Sequence, residues 1–344
     1  MKEDEKNRLV SVLEGETQWP PPVWLMRQAG RYLPEYKALR AKAGSFWAMC
    51  MDPAMAAEVT LQPIRRFGLD AAILFSDILV VPFALGKTVA FEEGTGPSME
   101  PISGVDGLET GKQVWAEKLA PVYETLKAVR RELDMGRALL GFAGAPWTLA
   151  TYMAEGHGSS DQQAAKRWAY RDPDSFGRLI DVVVDCVSFH LIRQLEAGAD
   201  AVQIFDSWAG GLPEAQFARW VIAPTKRIVE RVRSAYADAK IIGFPRAATL
   251  TGYELYARET GVNAISVDTS APLDFMRRMA GSVAVQGNLD PQVLVTGGAA
   301  LDESIGAILA AMKGTPFIFN LGHGVLQQTP PEHVAALIRR VRGQ

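Results

Sequence analysis

Two charged features mark where this sequence could do chemistry. The first is the run Arg27-Gln28-Ala29-Gly30-Arg31. A guanidinium presents a planar fork that meets a carboxylate or phosphate through two parallel hydrogen bonds. Ala29 and Gly30, both small, leave room for a ligand to approach the backbone between the forks. Over residues 27–51 the charges are Arg27, Arg31, Lys37, Arg40 and Lys42 against Glu35 alone, a basic stretch in a chain of net charge −3. An anionic ligand would account for it. So would a solvated basic face with one structural ion pair, and spacing alone leaves both open. The second feature is Asp77, set between Ile73-Leu74-Phe75-Ser76 and Ile78-Leu79-Val80-Val81. A carboxylate in such apolar sequence must be paired or hydrogen-bonded if it is buried. It either caps the next turn or accepts N–H donors and stabilises positive charge in a bound molecule.

Of the four histidines, His323 lies in the glycine-bracketed run Asn320-Leu321-Gly322-His323-Gly324, which favours a ligand contact over core packing. His157 falls in a glycine-rich loop and reads as exposed, His190 in a helical stretch as structural, and His333 behind a helix cap as surface. The two cysteines, Cys50 and Cys186, form no CxxC, so neither a disulfide framework nor a structural zinc site is expected. HExxH, GxSxG and Walker patterns are all missing from the sequence, and with them the usual routes to metalloprotease, serine-hydrolase or nucleotide chemistry.

The elements that must position these residues are short apolar runs alternating with helix-length amphipathic stretches. The runs are 23–26, 71–75, 138–142, 201–205, 240–244, 263–267, 283–286 and 316–319. Consecutive apolar positions rather than alternating ones suit parallel strands buried on both faces. Asp52-Pro53, Asp172-Pro173 and Asp290-Pro291 each put a capping side chain before a proline at the first helical position. Thr329-Pro330-Pro331-Glu332 has capping-box spacing, and the apolar stripe over 175–197 predicts a long helix. Eight runs separated by helices predict an α/β fold, an eight-stranded (β/α)8 TIM barrel in a single domain, rather than a doubly wound sheet, whose glycine fingerprint does not follow the first run. In such a barrel the active site forms where the strands end. Those ends carry Arg27-Gln28, Ser76-Asp77, Gly144-Ala145-Pro146, Asp206-Ser207, Pro245-Arg246, Asp268-Thr269, Gly287-Asn288 and Asn320 through His323.

Composition narrows the class further. The chain has 344 residues, 48% hydrophobic and 22% charged, which is globular usage. With 36 Lys and Arg against 39 Asp and Glu, a nucleic-acid partner is not expected. The first residues carry charges where a signal peptide needs an apolar core, and the most apolar stretch, 69–85, is interrupted by Asp70, Asp77 and Pro82. No membrane association and a cytoplasmic setting are therefore expected.

Two long strings then give a resemblance. Residues 22–36, PVWLMRQAGRYLPEY, and 141–156, GFAGAPWTLATYMAEG, closely resemble the two signatures of the uroporphyrinogen decarboxylase family. Supporting matches are ILFSDIL at 73–79, QIFDSWAG at 203–210, QGNLDP at 286–291 and FNLGHGV at 319–325, so the resemblance spans the chain. It implies a homodimeric eight-stranded barrel without cofactor or metal. The implied reaction converts the four acetate arms of uroporphyrinogen III to methyls, giving coproporphyrinogen III and four molecules of carbon dioxide in haem biosynthesis. It also implies roles. Arg27, Gln28, Ala29, Gly30 and Arg31 would bind substrate carboxylates, and Asp77 would lie beneath the macrocycle. Tyr152, Ser207, His323 and Phe46 would make further contacts. Catalysis would fall to Asp77, Arg27, Arg31 and Tyr152. Position 207 is Ser where many members carry Thr, and either supplies a hydroxyl. The stretches 243–247 and 267–269 look less family-like, so Arg246 and Asp268 receive no role. Two rivals remain: a corrinoid- or thiol-linked methyltransferase on a related barrel, which would need His and Cys zinc ligands near the later strands, and a catalytically silent tetrapyrrole-binding protein.

Overall fold

A computed structural model of the chain describes residues 7–92 and 96–344. The first six residues, on which part of the reading of a charged N-terminus rests, lie outside the described residues. The strands are β1 (Ala71–Ile73), β2 (Ala90–Glu92), β3 (Gly96–Ser98), β4 (Ala138–Gly144), β5 (Ala201–Asp206), β6 (Lys240–Pro245), β7 (Ala264–Ser266), β8 (Ala284–Leu289) and β9 (Phe317–Leu321). Seven of them form one parallel sheet in the order β1-β4-β5-β6-β7-β8-β9, with helices between successive members. Right-handed strand–helix–strand units of this kind curl into an α/β barrel. The antiparallel pair β2–β3 was not anticipated from the sequence.

The first expected strand is corrected. The segment 23–26 contributes one parallel bridge, Val23 to Phe319, rather than a ladder. It still fills the gap between β9 and β1: Phe319 N donates to Pro22 O at 2.9 Å, and Asp70 N donates to Val23 O at 3.0 Å. The reason it is no regular strand is local. Pro20, Pro21 and Pro22 carry no N–H to donate. Of the donors that follow, Trp24 N reaches Phe319 O at 3.4 Å, but the others are taken by side chains: Val23 N by Asp70 Oδ2 at 2.8 Å, Leu25 N by Gln28 Oε1 at 3.1 Å and Met26 N by Asn320 Oδ1 at 3.0 Å.

Two apolar shells hold the barrel. Inward-facing Trp24, Ala71, Ala138, Leu140, Ala201, Ile242, Ala264, Ala284 and Ile318 form the inner one. Most are small or lie at strand starts, and Leu9, Val12 and Leu13 of the helix Arg8–Leu13 join them, closing the N-terminal end. The outer shell packs the opposite strand faces against the helices. Midway up the interior is a polar layer. Gln286 accepts from Trp24 Nε1 at 2.9 Å and donates to Gln203 Oε1 and Ser266 Oγ, each at 3.1 Å. Buried amides so paired carry little desolvation penalty and give the cavity above a defined floor.

Helix starts follow the expected chemistry where aspartate precedes proline. Asp52, Asp172 and Asp290 each accept a backbone N–H of the following turn at 2.8–2.9 Å. The capping box at Thr329 does not form. The final helix starts one residue later than that spacing requires, with Pro330 as its cap, and the Thr329 hydroxyl has no partner among the described residues. Among the described residues no helix is long and apolar enough to cross a membrane.

Candidate active site

Strand ends converge at the C-terminal mouth, and the loop after 23–26 shapes one wall. Arg27 adopts a left-handed backbone conformation, φ 59°, which is costly for a residue with a Cβ. The loop after β9 holds it there: Val325 N donates to Met26 O at 2.8 Å. Gly324 packs against the Arg27 stem so closely that a Cβ would fall 2.4 Å from Arg27 Cδ, so only glycine fits. The guanidinium remains accessible to solvent within this crowded recess. Burial lowers its pKa from the usual range, and the negative charge of Asp77 works in the opposite direction.

Asp77 follows β1 in the loop 74–79. Leu79 N donates to its Oδ1 at 2.9 Å, so the expected turn-capping role is real. Its second oxygen accepts no hydrogen bond from the described residues. Gly144, at the end of β4, makes room for this loop, since a Cβ there would lie 3.0 Å from Ile78 Cβ. Burial raises the Asp77 pKa above the ordinary carboxylate range; the Leu79 N–H and the Arg27 charge pull it back. One carboxylate oxygen is thus occupied, and the other could accept from a ligand.

Tyr152 stands on the helix Pro146–Glu155, edge-on to Trp208 with ring centroids 6.2 Å apart. Burial raises its pKa, with the charge of Asp77 adding to the effect, so the phenol is protonated at neutral pH. Ser207 follows β5, half-buried, with its hydroxyl free of partners among the described residues. The turn carrying it is held from behind. Thr148 Oγ1 donates to buried Asp206 at 2.5 Å and accepts from Trp208 N at 3.0 Å. His323 is half-buried and its pKa is pushed down to about 3 by burial, then by the Arg27 and Arg246 charges, so it is neutral in the physiological range. Phe46 opens the helix Phe46–Cys50 and packs edge-on against Phe75 at 5.7 Å, one residue pair from Asp77.

The expected set therefore gathers at one mouth with one exception. Gln28 is fully buried. Its amide donates to Ala71 O at 3.0 Å and accepts from Leu25 N, and its carbonyl takes the Tyr32 hydroxyl at 2.7 Å. Gln28 ties the arginine loop to β1 and cannot touch a ligand. Ala29 and Gly30 are half-buried beside it, and Arg31 is exposed. Of the other histidines, His190 is buried against Tyr123 as expected and His157 is exposed. His333 is a correction: its ring packs on Gly297 and bonds Leu294 O at 3.0 Å, so it is half-buried rather than a free surface group.

The electrostatics of the mouth are unbalanced. Arg27 and Arg31 have no carboxylate within ion-pair distance among the described residues. Some arginines elsewhere on the barrel do find one, as Arg130 does with Asp200 at 2.9 Å and Arg342 with Asp70 at 3.4 Å. Unpaired forks around a half-free carboxylate can hold the acid arms of a ligand while the carboxylate accepts its N–H groups. Cys50 and Cys186 are both buried in helices, Cys50 at the end of the helix that Phe46 opens and Cys186 in the helix Pro173–Glu196. Among the described residues no group of three or more His, Cys, Asp or Glu is placed to hold a metal ion. Two residues at the mouth went unassigned from sequence, Arg246 and Asp206. Both sit at strand ends, the signal that marked Asp77, but neither lies in an unusual charge pattern.

Comparison with known proteins gives the family. The sequence matches the family profile "Uroporphyrinogen decarboxylase (URO-D)" over residues 4–344. It is 52% identical over 338 residues to the protein named uroporphyrinogen decarboxylase of Brucella anthropi, covering 98% of this chain and 99% of that one. It is 54% identical over 336 residues to that of Brucella canis, covering 98% of each. In structure it resembles a methyltransferase from Methanosarcina mazei, with TM-score 0.81 over 98% of both chains but 19% identity, a likeness of fold alone. The profile match over almost the whole length, together with relatives above half identity, places the chain in the uroporphyrinogen decarboxylase family.

Proposed function

We propose that this chain removes the carboxyl groups from the four acetate arms of uroporphyrinogen III, giving coproporphyrinogen III and four molecules of carbon dioxide for haem biosynthesis. The observation that carries the reading is Asp77, half-buried with one oxygen free of hydrogen bonds from the described residues, beside the guanidinium of Arg27, which is unpaired among them. Each arm reacts in the same way. A proton adds to the pyrrole α-carbon next to the acetate-bearing carbon, and the ring becomes cationic. The C–C bond to the carboxylate breaks, carbon dioxide leaves, and the electron pair neutralises the ring as an exocyclic methylene. A proton adds to that methylene and the α-carbon proton departs, restoring the pyrrole with a methyl. The net change is one proton taken up per carbon dioxide released.

In this mechanism Asp77 accepts the inward N–H groups of a domed macrocycle with its free oxygen. Its charge favours the cationic ring over the neutral one, so stabilisation is larger in the transition state than in the ground state. Arg27 and Arg31 hold carboxylate arms as two-toothed forks. Neutral His323 and the protonated Tyr152 each offer a hydrogen-bond donor, and Ser207 a hydroxyl, to further arms. Phe46 and Phe75 supply an apolar wall. Side chains suffice for these steps, with no cofactor or metal. The reading includes a single barrel domain and a homodimer in the cytoplasm, where two buried free thiols are at home.

Anaerobic incubation of the purified chain with uroporphyrinogen III, followed by chromatography, tests the function. Stepwise loss of four carboxyl groups is expected. Binding of the tetrapyrrole without carbon dioxide release would replace this reading with that of a silent binding protein.

A further inference from the structure

Arg246 is the first residue past β6, a strand end whose sequence gave it no role. Counting round the ring from the segment 23–26, β6 takes the fifth of eight places, so Arg246 leaves the barrel across the mouth from Arg27. Its backbone is fixed on three sides. Arg246 N donates to Asp206 O at 3.0 Å, Ala247 N to Asp268 Oδ2 at 2.5 Å, and Ala248 N to Pro245 O at 3.2 Å. Ala247 is held in the left-handed region, φ 60°, and the only other non-glycine residues there among those described are Arg27 and Gln162. Strain of this kind persists where surrounding contacts over-determine it, and it gathers at working sites. Here it occurs at or beside each of two facing arginines.

The Arg246 guanidinium is half-buried and has neither ion pair nor hydrogen bond with the described residues. The acid nearest its turn is not free to pair with it: Asp268 is occupied by Ala247 N, Ser270 N and Ser270 Oγ. Yet the charge reaches the cavity, since it bears on both Arg27 and His323. A macrocycle with acid arms around its whole rim cannot be held from one wall alone.

We propose that Arg246 is a further substrate-binding residue, gripping a carboxylate arm on the side of the macrocycle away from Arg27 and Arg31. This rests on the decarboxylase reading above. Two facing grips fix the ring's rotation over Asp77, so Arg246 sets which arm is presented. Asp268 acts through it as a positioning residue, by holding the Ala247 turn.

The test uses the full chain, Arg246→Ala and Arg246→Lys. It measures steady-state kinetics with uroporphyrinogen III and the dissociation constant of coproporphyrinogen III, which keeps its propionate arms and does not turn over. A lost charge-assisted bond is expected to raise KM by about ten-fold or more in Arg246→Ala, with the loss on KM rather than kcat and product binding weakened alongside. Arg246→Lys keeps the charge without the fork and should fall between, which carries the test if the alanine variant does not fold. Both constants within two-fold of the parent, or a loss confined to kcat, would overturn the role of Arg246 while leaving the decarboxylase reading intact. No carbon dioxide from the parent chain would overturn that reading, and this proposal with it.

Discussion

At Asp77 the proposal gives one carboxylate two jobs. Its Oδ1 fixes the turn through Leu79 N, and its other oxygen accepts no hydrogen bond from the described residues. The two jobs separate in Asp77→Asn, whose amide oxygen can still accept from Leu79 while the charge is gone. The expected outcome is a fall in kcat of about a hundred-fold or more, the scale of removing one preorganised electrostatic contact, with little change in melting temperature. Decarboxylation within a few-fold of the parent would remove Asp77 from the mechanism. In the proposed mechanism the ionised form works, and burial raises its pKa, so the acid limb of the parent's kcat/KM profile should lie above the range of an exposed aspartate. The aspartate was legible because a lone charge between two apolar runs needs a reason. That one of its oxygens would be occupied by its own turn was not, because capping and ligand binding demand the same residue.

At the scale of elements, the turn after β5 depends on a group that touches no ligand. Asp206 is fully buried, takes the Thr148 hydroxyl, and leaves its other oxygen without a partner among the described residues. Burial pushes its pKa up to about 7, only partly countered by Thr148. The folded state therefore binds a proton that the unfolded state, with an ordinary carboxyl, has already released. The stability this contributes is full below about pH 4 and is lost as pH rises towards 7, on the order of 1 kcal/mol per pH unit in between. Asp206→Asn keeps an acceptor for Thr148 without the titration. Thermal melts should show the variant gaining on the parent as pH rises from 5 to 7; parallel curves would contradict this account. Sequence patterns exposed most elements here, because parallel strands buried on both faces leave unbroken apolar runs. They misread 23–26, where apolar residues stand in sequence but prolines and side-chain acceptors replace the ladder.

For the whole molecule, the barrel gathers groups that are far apart in the chain and leaves their charges unmatched. Arg27, Asp77, Ser207, Arg246 and His323 come from five different strand ends, and Tyr152 from the helix after a sixth. If these side chains alone carry the chemistry, exhaustive dialysis against a chelator should leave the rate of carbon dioxide release unchanged, measured on the same preparation before and after. A loss restored by one added metal would show that the mouth recruits an ion.

The sequence by itself determined the strand-and-helix alternation, the barrel class, the basic first loop, the isolated aspartate and, through two long motifs, the family. These are legible because burial on both strand faces, helix capping and a charge in apolar surroundings each leave a local mark. Only the tertiary structure decided that Gln28 faces inward as a tie to β1, and that among the described residues one oxygen of Asp77 accepts nothing and Arg246, across the mouth from Arg27, has no ion pair. Those facts depend on which groups meet across the ring, and contacts between distant strand ends leave no trace in local spacing.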